Sequence, residues 1–188
     1  MDLSVTIAIC LMFCCIWDAE SRKSNGVLTV PNGAPGGTWG ELQFCTSGHA
    51  NGFAIKVQKP QGILKDDTSL NGIRLYCKSG ETIESTVGLK GDWSKSIICS
   101  KGFLNSFSLN VEKPQGLLDD SAANNIKFKC QDGEELKGNS YEWGTFGPWS
   151  LSCETGAICG IQTRVQPDKT GVLGDDTGLN DVKFHCCD

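Results

Sequence analysis

A phrase ending in cysteine occurs three times in this chain: KPQGILKDDTSLNGIRLYC at 59–77, KPQGLLDDSAANNIKFKC at 113–130 and, more loosely, QPDKTGVLGDDTGLNDVKFHC at 166–186. Such self-similarity constrains the fold more than composition does, because each copy must form the same unit and bury its apolar face against the others. Each copy opens at a glycine two residues before a tryptophan, GTW at 37, GDW at 91 and GPW at 147, which sets repeats at about 37–90, 91–146 and 147–188. Cys45, Cys99 and Cys153 each stand eight residues before an apolar residue, Phe53, Phe107 or Ile161. Further on, an Asp pair precedes Asn71, Asn124 or Asn180 by four residues, and the closing cysteine follows that Asn by six.

Within a repeat the hydrophobic period is two. Phe53, Ile55 and Val57 alternate with Ala54 and Lys56; Phe107, Leu109 and Val111 repeat the pattern. The closing segments agree, with Ile73, Leu75 and Cys77 set against Arg74 and Tyr76, and Val182, Phe184 and Cys186 against Lys183 and His185. Alternation of this kind describes strands with one face buried and one solvated. Gly, Asn, Asp and Pro interrupt every stretch long enough for a helix, so the expected class is all-β. A further strand follows Cys77 and Cys130, but the chain ends after Cys187. The segment GVLTVPNG at 26–33 has the right character to supply the missing strand and close the third sheet, removing an exposed edge. Three antiparallel sheets about a pseudo-threefold axis then make a three-sided prism over residues 20–188.

Residues 1–19 stand apart. The apolar run from Leu3 to Trp17 followed by Ala19 reads as a secretory signal peptide, too short for the roughly 20 residues that span a bilayer. Secretion is therefore expected, without membrane insertion. The net charge of −5, which becomes −3 once Asp2 and Asp18 leave with the leader, argues against a nucleic-acid partner. Eight cysteines remain, an even number that in a secreted chain implies disulfides. The recurring spacing pairs Cys45 with Cys77 and Cys99 with Cys130; Cys153 takes Cys186 or Cys187, and Cys159 takes the other.

The order and number of these motifs are similar to those of the vitelline membrane outer layer protein I family. VPNGAPGGTWG, NGFAIKV, DDTSLNGIRLYC, ANNIKFKC, WGTFGPW and the terminal FHCCD carry the resemblance, which runs from about Val27 to Asp188. Lys65 before the first Asp pair and PDKTG in place of KPQG are local departures. The resemblance implies a β-prism I fold with three internal repeats, secretion, four disulfides, and a place in the protein coat of the egg or in other extracellular fluids. It also implies a rival activity, lysozyme-like transfer on N-acetylchitooligosaccharides.

For such a transfer the candidate carboxylates are Asp66, Asp67, Asp119, Asp120, Asp175 and Asp176, since glycoside chemistry uses two carboxylates flanking the scissile bond. Neighbouring strand residues point to opposite faces, however, and Asp in a Gly-rich setting before Asn is the composition of a turn that bonds its own backbone. Trp39, Trp93 and Trp149 recur with the repeat and are expected to fill the space near the axis, the alternative being a platform for sugar rings. Trp143, with Tyr141 and Phe146, breaks the pattern and is the expected sugar-facing group. Arg74, Lys127, Lys129, Arg164 and Lys183 fall on the outward faces of strands, as a solvated surface or a contact for acidic glycans. His49 and His185 are the only histidines, and the cysteine spacing matches no zinc site. No metal or cofactor is expected. The expected function is a non-enzymatic coat protein that binds extracellular glycans or coat glycoproteins, with the transferase and a pure lectin as rivals.

Overall fold

The computed structural model describes residues 22–59, 69–112, 123–141, 143–166 and 178–188. The expected leader and all six candidate aspartates of the Asp pairs lie outside these residues. The first strands are β1 (Gly26–Leu28), β2 (Thr38–Trp39), β3 (Gln43–Phe44), β4 (Ala50–Val57) and β5 (Leu70–Cys77). Next come β6 (Thr82–Glu84), β7 (Asp92–Trp93), β8 (Ile97–Ile98), β9 (Leu104–Val111) and β10 (Ala123–Cys130). The chain finishes with β11 (Glu135–Lys137), β12 (Thr145–Phe146), β13 (Ala157–Val165) and β14 (Leu179–Cys187). Every alternating segment of the sequence is a strand, and no helix occurs among the described residues.

Three antiparallel sheets result. The first has the order β6-β5-β4-β7, with β8 continuing the edge beyond β7 along β4. The second is β11-β10-β9-β12, and the third is β1-β14-β13-β2 with β3 continuing the edge along β13. The N-terminal strand does sit beside the last one: Gly26, Val27 and Leu28 face Cys186, His185 and Phe184. Once the third repeat is taken to begin at Gly144 rather than Gly147, each sheet borrows its outer edge from the following repeat, so a repeat as delimited in sequence is not a sheet. The borrowing ties successive sheets together and leaves no sheet made of one repeat alone.

Disulfides follow the same logic. The Cys45 amide donates to the Cys159 carbonyl of the third sheet, while its sulfur joins Cys77 in the first. Likewise Cys99 bonds the backbone of Asn51 in the first sheet and its sulfur joins Cys130 in the second. Cys153 bonds Asn105 in the second and its sulfur joins Cys186 in the third. Three bridges thus staple the ring, sheet to sheet. The fourth, Cys159–Cys187, lies within the third sheet, which resolves the pairing that spacing left open.

The recurring Asn acquires a physical reason. Each central hairpin is bulged twice, and the extra residues are Asn51 and Asn71, Asn105 and Asn124, and Cys159 and Asn180. A bulge adds one unpaired residue and bends the strand; those near the cysteines present the carbonyls of Asn51, Asn105 and Cys159 to the incoming edge. Asn71, Asn124 and Asn180 are buried beneath the opposite end.

Phe53, Phe107, Phe128 and Phe184, all fully buried and drawn from all three sheets, form the centre of the core. Phe128 lies 4.7 Å from Phe53 and 5.1 Å from Phe184, centroid to centroid, and Phe107 lies 4.8 Å from Phe184. The expectation that Trp39, Trp93 and Trp149 fill the axis is corrected: all three are half-buried and none belongs to the core cluster. Four phenylalanines on inward strand positions already fill the space that the tryptophans were to occupy.

The third repeat also begins earlier than GPW. Trp39 pairs with Arg164 and Trp93 with Lys56, and the corresponding pair in the second sheet is Phe146 with Asn110. The glycines before them, Gly37, Gly91 and Gly144, have φ of +78°, +87° and +76°. A Cβ there would lie 2.4–2.6 Å from the carbonyl of Val165, Val57 or Val111, so glycine is required on both conformational and steric grounds. GTF at 144–146 is therefore the third copy, and Trp149 falls in a stretch one residue longer than its counterparts.

Candidate functional site

The outward strand positions carry basic groups, and aromatic rings from the borrowed edges cover them. On the first sheet the Arg74 guanidinium lies 4.1 Å from the centroid of Trp93 and bonds Glu84. On the third, Lys183 Nζ is 4.2 Å from Trp39, with Arg164 at 5.2 Å. On the second, Lys127 Nζ lies 4.9 Å from Phe146 and 4.7 Å from Trp149, and Lys129 lies 4.3 Å from Trp149. The outward basic residues named from the alternation are thus each seated on a ring, an arrangement in which the ring quadrupole attracts the cation. The recurring tryptophans belong to these outer faces.

His185 shares this pattern with a different outcome. It occupies an outward position on β14, yet Phe44 closes over it edge to face at 5.6 Å, and neither ring nitrogen has a hydrogen-bond partner. Burial, with Lys183 nearby, pushes its pKa below the usual imidazole value. A neutral, enclosed imidazole with no partner is packing rather than a catalytic base.

The sheets meet at corners, and one corner differs from the others. Between the first and second sheets Val57, Lys59, Asp92, Trp93, Ser94, Asn139, Ser140 and Tyr141 line a groove of about 430 Å³. Its lining combines two aromatic rings with a carboxylate, an ammonium, an amide and two hydroxyls, and the Ser140 hydroxyl is buried without a hydrogen-bond partner. Trp143 stacks on Tyr141, centroids 5.0 Å apart and planes 18° from parallel, and remains 39% exposed. Its carbonyl accepts from the buried Asn124 side chain, which anchors the segment.

The pseudo-threefold supplies two counterparts. Between the second and third sheets a groove of about 250 Å³ is lined by Asn32, Gly33, Ala34, Pro35, Val111, Glu112, Thr145 and Gly147. Between the third and first, one of about 320 Å³ is lined by Thr38, Thr86, Val87, Gly88, Leu89, Val165 and Gln166. Neither has an aromatic among the described residues that line it, so among these the first corner alone combines aromatic rings with charged and hydroxyl groups.

Of the aromatics singled out from sequence, Tyr141 and Trp143 come together at this groove. Phe146 does not; it lies under Lys127 on the outer face of the second sheet. Sequence reasoning missed Asp92 and Lys59 and placed Trp93 near the axis, with a platform for sugar rings as the alternative, because the two ends of the second repeat meet here beside the first and no stretch of sequence shows it. The carboxylate clusters around Cys77 and Cys130 are unsuited to a metal, since those sulfurs are held in disulfides and Glu81 and Glu134 accept from the amides of Thr46 and Ser100. No helix among the described residues is long and apolar enough to cross a membrane.

Three antiparallel sheets wrapped about a pseudo-threefold axis, with grooves at the corners, define a β-prism protein. The same fold is found in artocarpin, a lectin with mannose specificity, with a TM-score of 0.53 and 18% identity over 88% of this chain and 99% of that one. Calsepa lectin, solved in complex with a bisected glycan, gives a TM-score of 0.54 and 12% identity over 87% and 97% of the two chains. At these identities the likeness is one of fold. Residues 26–188 match the family Vitelline membrane outer layer protein I, and the chain belongs to it. The Vitelline membrane outer layer protein 1 homolog of Homo sapiens is 47% identical over 180 residues, covering 90% of this chain and 88% of the relative. The protein of the same name from Mus musculus is 43% identical over 169 residues, 86% and 83% of the two.

Proposed function

We propose that this chain is a secreted structural protein of an extracellular coat, and that it binds neutral glycans in the groove between its first and second sheets. The groove lining carries the reading: Trp93 and Tyr141 offer ring faces of the kind that apolar pyranose faces stack on, and Asp92, Lys59, Asn139 and Ser140 offer the few convergent polar groups that orient a bound small molecule. Among the described residues its two pseudo-symmetric counterparts lack the rings. The coat role is supported by the family, by the apolar leader, and by four disulfides, which persist in an oxidising compartment. Glycan binding draws support from the lectins that share the fold.

The test uses the oxidised protein and N-acetylchitohexaose, with heats followed by calorimetry and product lengths by mass spectrometry. Saturable binding that Tyr141→Ala weakens by about 10-fold or more is the expected result. Longer oligomers in the mixture would instead identify a transferase and direct attention to the Asp pairs. Binding unaffected by Tyr141→Ala and Trp143→Ala removes the groove from the account.

A further inference from the structure

One ring position meets its corner differently in the three copies. Val57 and Asp92 line the groove between the first and second sheets; their counterparts, Val111 with Thr145 and Val165 with Thr38, line the other two. The next residue along each borrowed edge is Trp93, Phe146 or Trp39. Trp93 reaches its groove and belongs to the lining, whereas Phe146 and Trp39 are not among the residues that line theirs. Tryptophan occupies two of the three positions, so residue type does not account for the difference, and attention passes to what holds each ring.

Across the ladder Trp93 faces Lys56, and Trp39 faces Arg164. Arg164 stays with its tryptophan, 5.2 Å from the ring centroid, but the Lys56 ammonium turns away and donates to the carbonyls of Gly88 and Leu89 at 2.9 and 3.0 Å. The nearer cation over Trp39 is Lys183 at 4.2 Å, where the first sheet has Arg74 over Trp93 at 4.1 Å. A planar guanidinium can stack on a ring and direct its N–H groups elsewhere at once, which a compact ammonium cannot do. Arg74 does both, since its Nε donates to Glu84, the residue directly opposite on β6. In the second sheet the counterpart of Glu84 is Lys137, opposite Lys127. Carboxylate, guanidinium and indole thus form a chain of contacts from β6 to the groove.

We propose that Arg74 is a positioning residue for glycan binding: held by Glu84, it covers one face of Trp93 and fixes the ring so that the remainder stands in the wall of the groove. The inference rests on the groove being the glycan site. Arg74 is not among the residues lining the groove, so it acts through Trp93. A ring already ordered in the free protein loses less freedom when a sugar packs on it, and the difference appears as affinity.

The oxidised protein is titrated with N-acetylchitohexaose by calorimetry, while heteronuclear NMR follows the indole N–H signals, that of Trp93 being assigned by its loss in Trp93→Phe. Before sugar is added, Arg74→Gln should shift the Trp93 signal and increase its mobility, leaving the Trp39 signal in place. Affinity should fall by about 5-fold, and Arg74→Lys, which keeps a cation over the ring, should recover part of the loss. Glu84→Gln should weaken binding on its own but add nothing in the Arg74→Gln background, because its effect passes through Arg74. Lys183→Gln, the equivalent change at Trp39, should leave affinity within about 2-fold. A folded Arg74→Gln protein that binds as tightly as the parent, or whose Trp93 signal is unmoved, overturns the inference and leaves the groove reading standing. A Lys183→Gln loss equal to that of Arg74→Gln overturns it too, by assigning both to general weakening of the sheets. No binding by the parent removes the groove reading and this inference together.

Discussion

The two bridges of the third sheet overlap in sequence, and their contributions to stability should not add. An independent bridge such as Cys45–Cys77, with a separation of 32 residues, stabilises by about 3.7 kcal/mol at 25 °C on the chain-entropy account. Cys153–Cys186 and Cys159–Cys187 have separations of 33 and 28, which taken alone give nearly the same value. Cys159, however, is only six positions after Cys153, and Cys187 adjoins Cys186. With either bridge in place, the other closes a circuit of about seven residues and adds only about 2.4 kcal/mol. Cys159→Ala/Cys187→Ala should therefore cost about 2.4 kcal/mol, and removal of both bridges about 6 kcal/mol, more than the two single losses together. Cys45→Ala/Cys77→Ala is the reference, because all four of these cysteines are almost fully buried and the cavity contributions are alike. Urea titrations followed by tryptophan fluorescence, with slopes compared as well as midpoints, give the values. A Cys159–Cys187 loss equal to that of Cys45–Cys77, or strict additivity in the third sheet, would refute the reasoning and shift the weight to native-state contacts at the bridges.

Two further outcomes test the packing. Gly144→Ala places a Cβ 2.6 Å from the Val111 carbonyl oxygen at a φ of +76°, whereas Gly133→Ala at +93° meets nothing within 4 Å. Thermal unfolding should show the first losing clearly more than the roughly 1–2 kcal/mol of conformational cost both share, and equal losses would mean that the edge strand simply moves aside. For His185 the folded pKa lies below the unfolded value because of burial, so the unfolded chain takes up the proton first on acidification. Stability present above the unfolded value of about 6.5 is then lost as pH falls towards the folded one. Urea midpoints at pH 7 and pH 5 should differ more for the parent than for His185→Gln, and an identical drop in both proteins would acquit this residue.

The strands, the three sheets, the closing N-terminal strand and two of the four bridges were legible because they follow from alternation and spacing, which survive in the chain as written. The bulges were not, although their residues were in plain view: the Asn six before each closing cysteine marks the place where one strand carries an extra residue, and only the ladder shows that. Tryptophan misled for a related reason. Its recurrence argued for a symmetric structural role, which it has at Trp39 and Trp93, but Trp93 pairs across the ladder with Lys56 on an edge where the outward face is the available one. In the third copy the ring is Phe146, and the eye was drawn to Trp149 by a glycine and a tryptophan in the expected spacing. The groove was legible only through Tyr141 and Trp143, since Asp92 and Trp93 open the second repeat, the Asn139–Tyr141 stretch closes it, and only the fold brings the two ends together beside Val57 and Lys59 of the first.

Pseudo-symmetry separates the residues that hold this fold from those that use it. A position filled alike in all three copies answers a demand that every corner makes: cysteine to staple adjacent sheets, glycine where φ is positive against a carbonyl, asparagine at a bulge. Such residues cannot confer a property on one corner without conferring it on all. A property confined to one place must come from positions where a single copy departs, and the departures are few and adjacent. Tyr141 and Trp143 stand in the segment that closes one corner, Lys137 stands where its counterpart is an acid, and Trp149 stands in the one lengthened edge. All four lie within residues 137–149, from the end of β11 to the lengthened edge, a stretch of the chain that touches both the groove and the outer face of the second sheet. Exchanging residues 137–149 for the corresponding segment that follows β6 should thus leave the prism folded and remove glycan binding at the groove, while the reverse exchange should create a second groove with rings between the third and first sheets. A folded chimera that retained glycan binding would show that the departures are neutral drift in a surface edge, and that the functional site lies among the connections between the central strands.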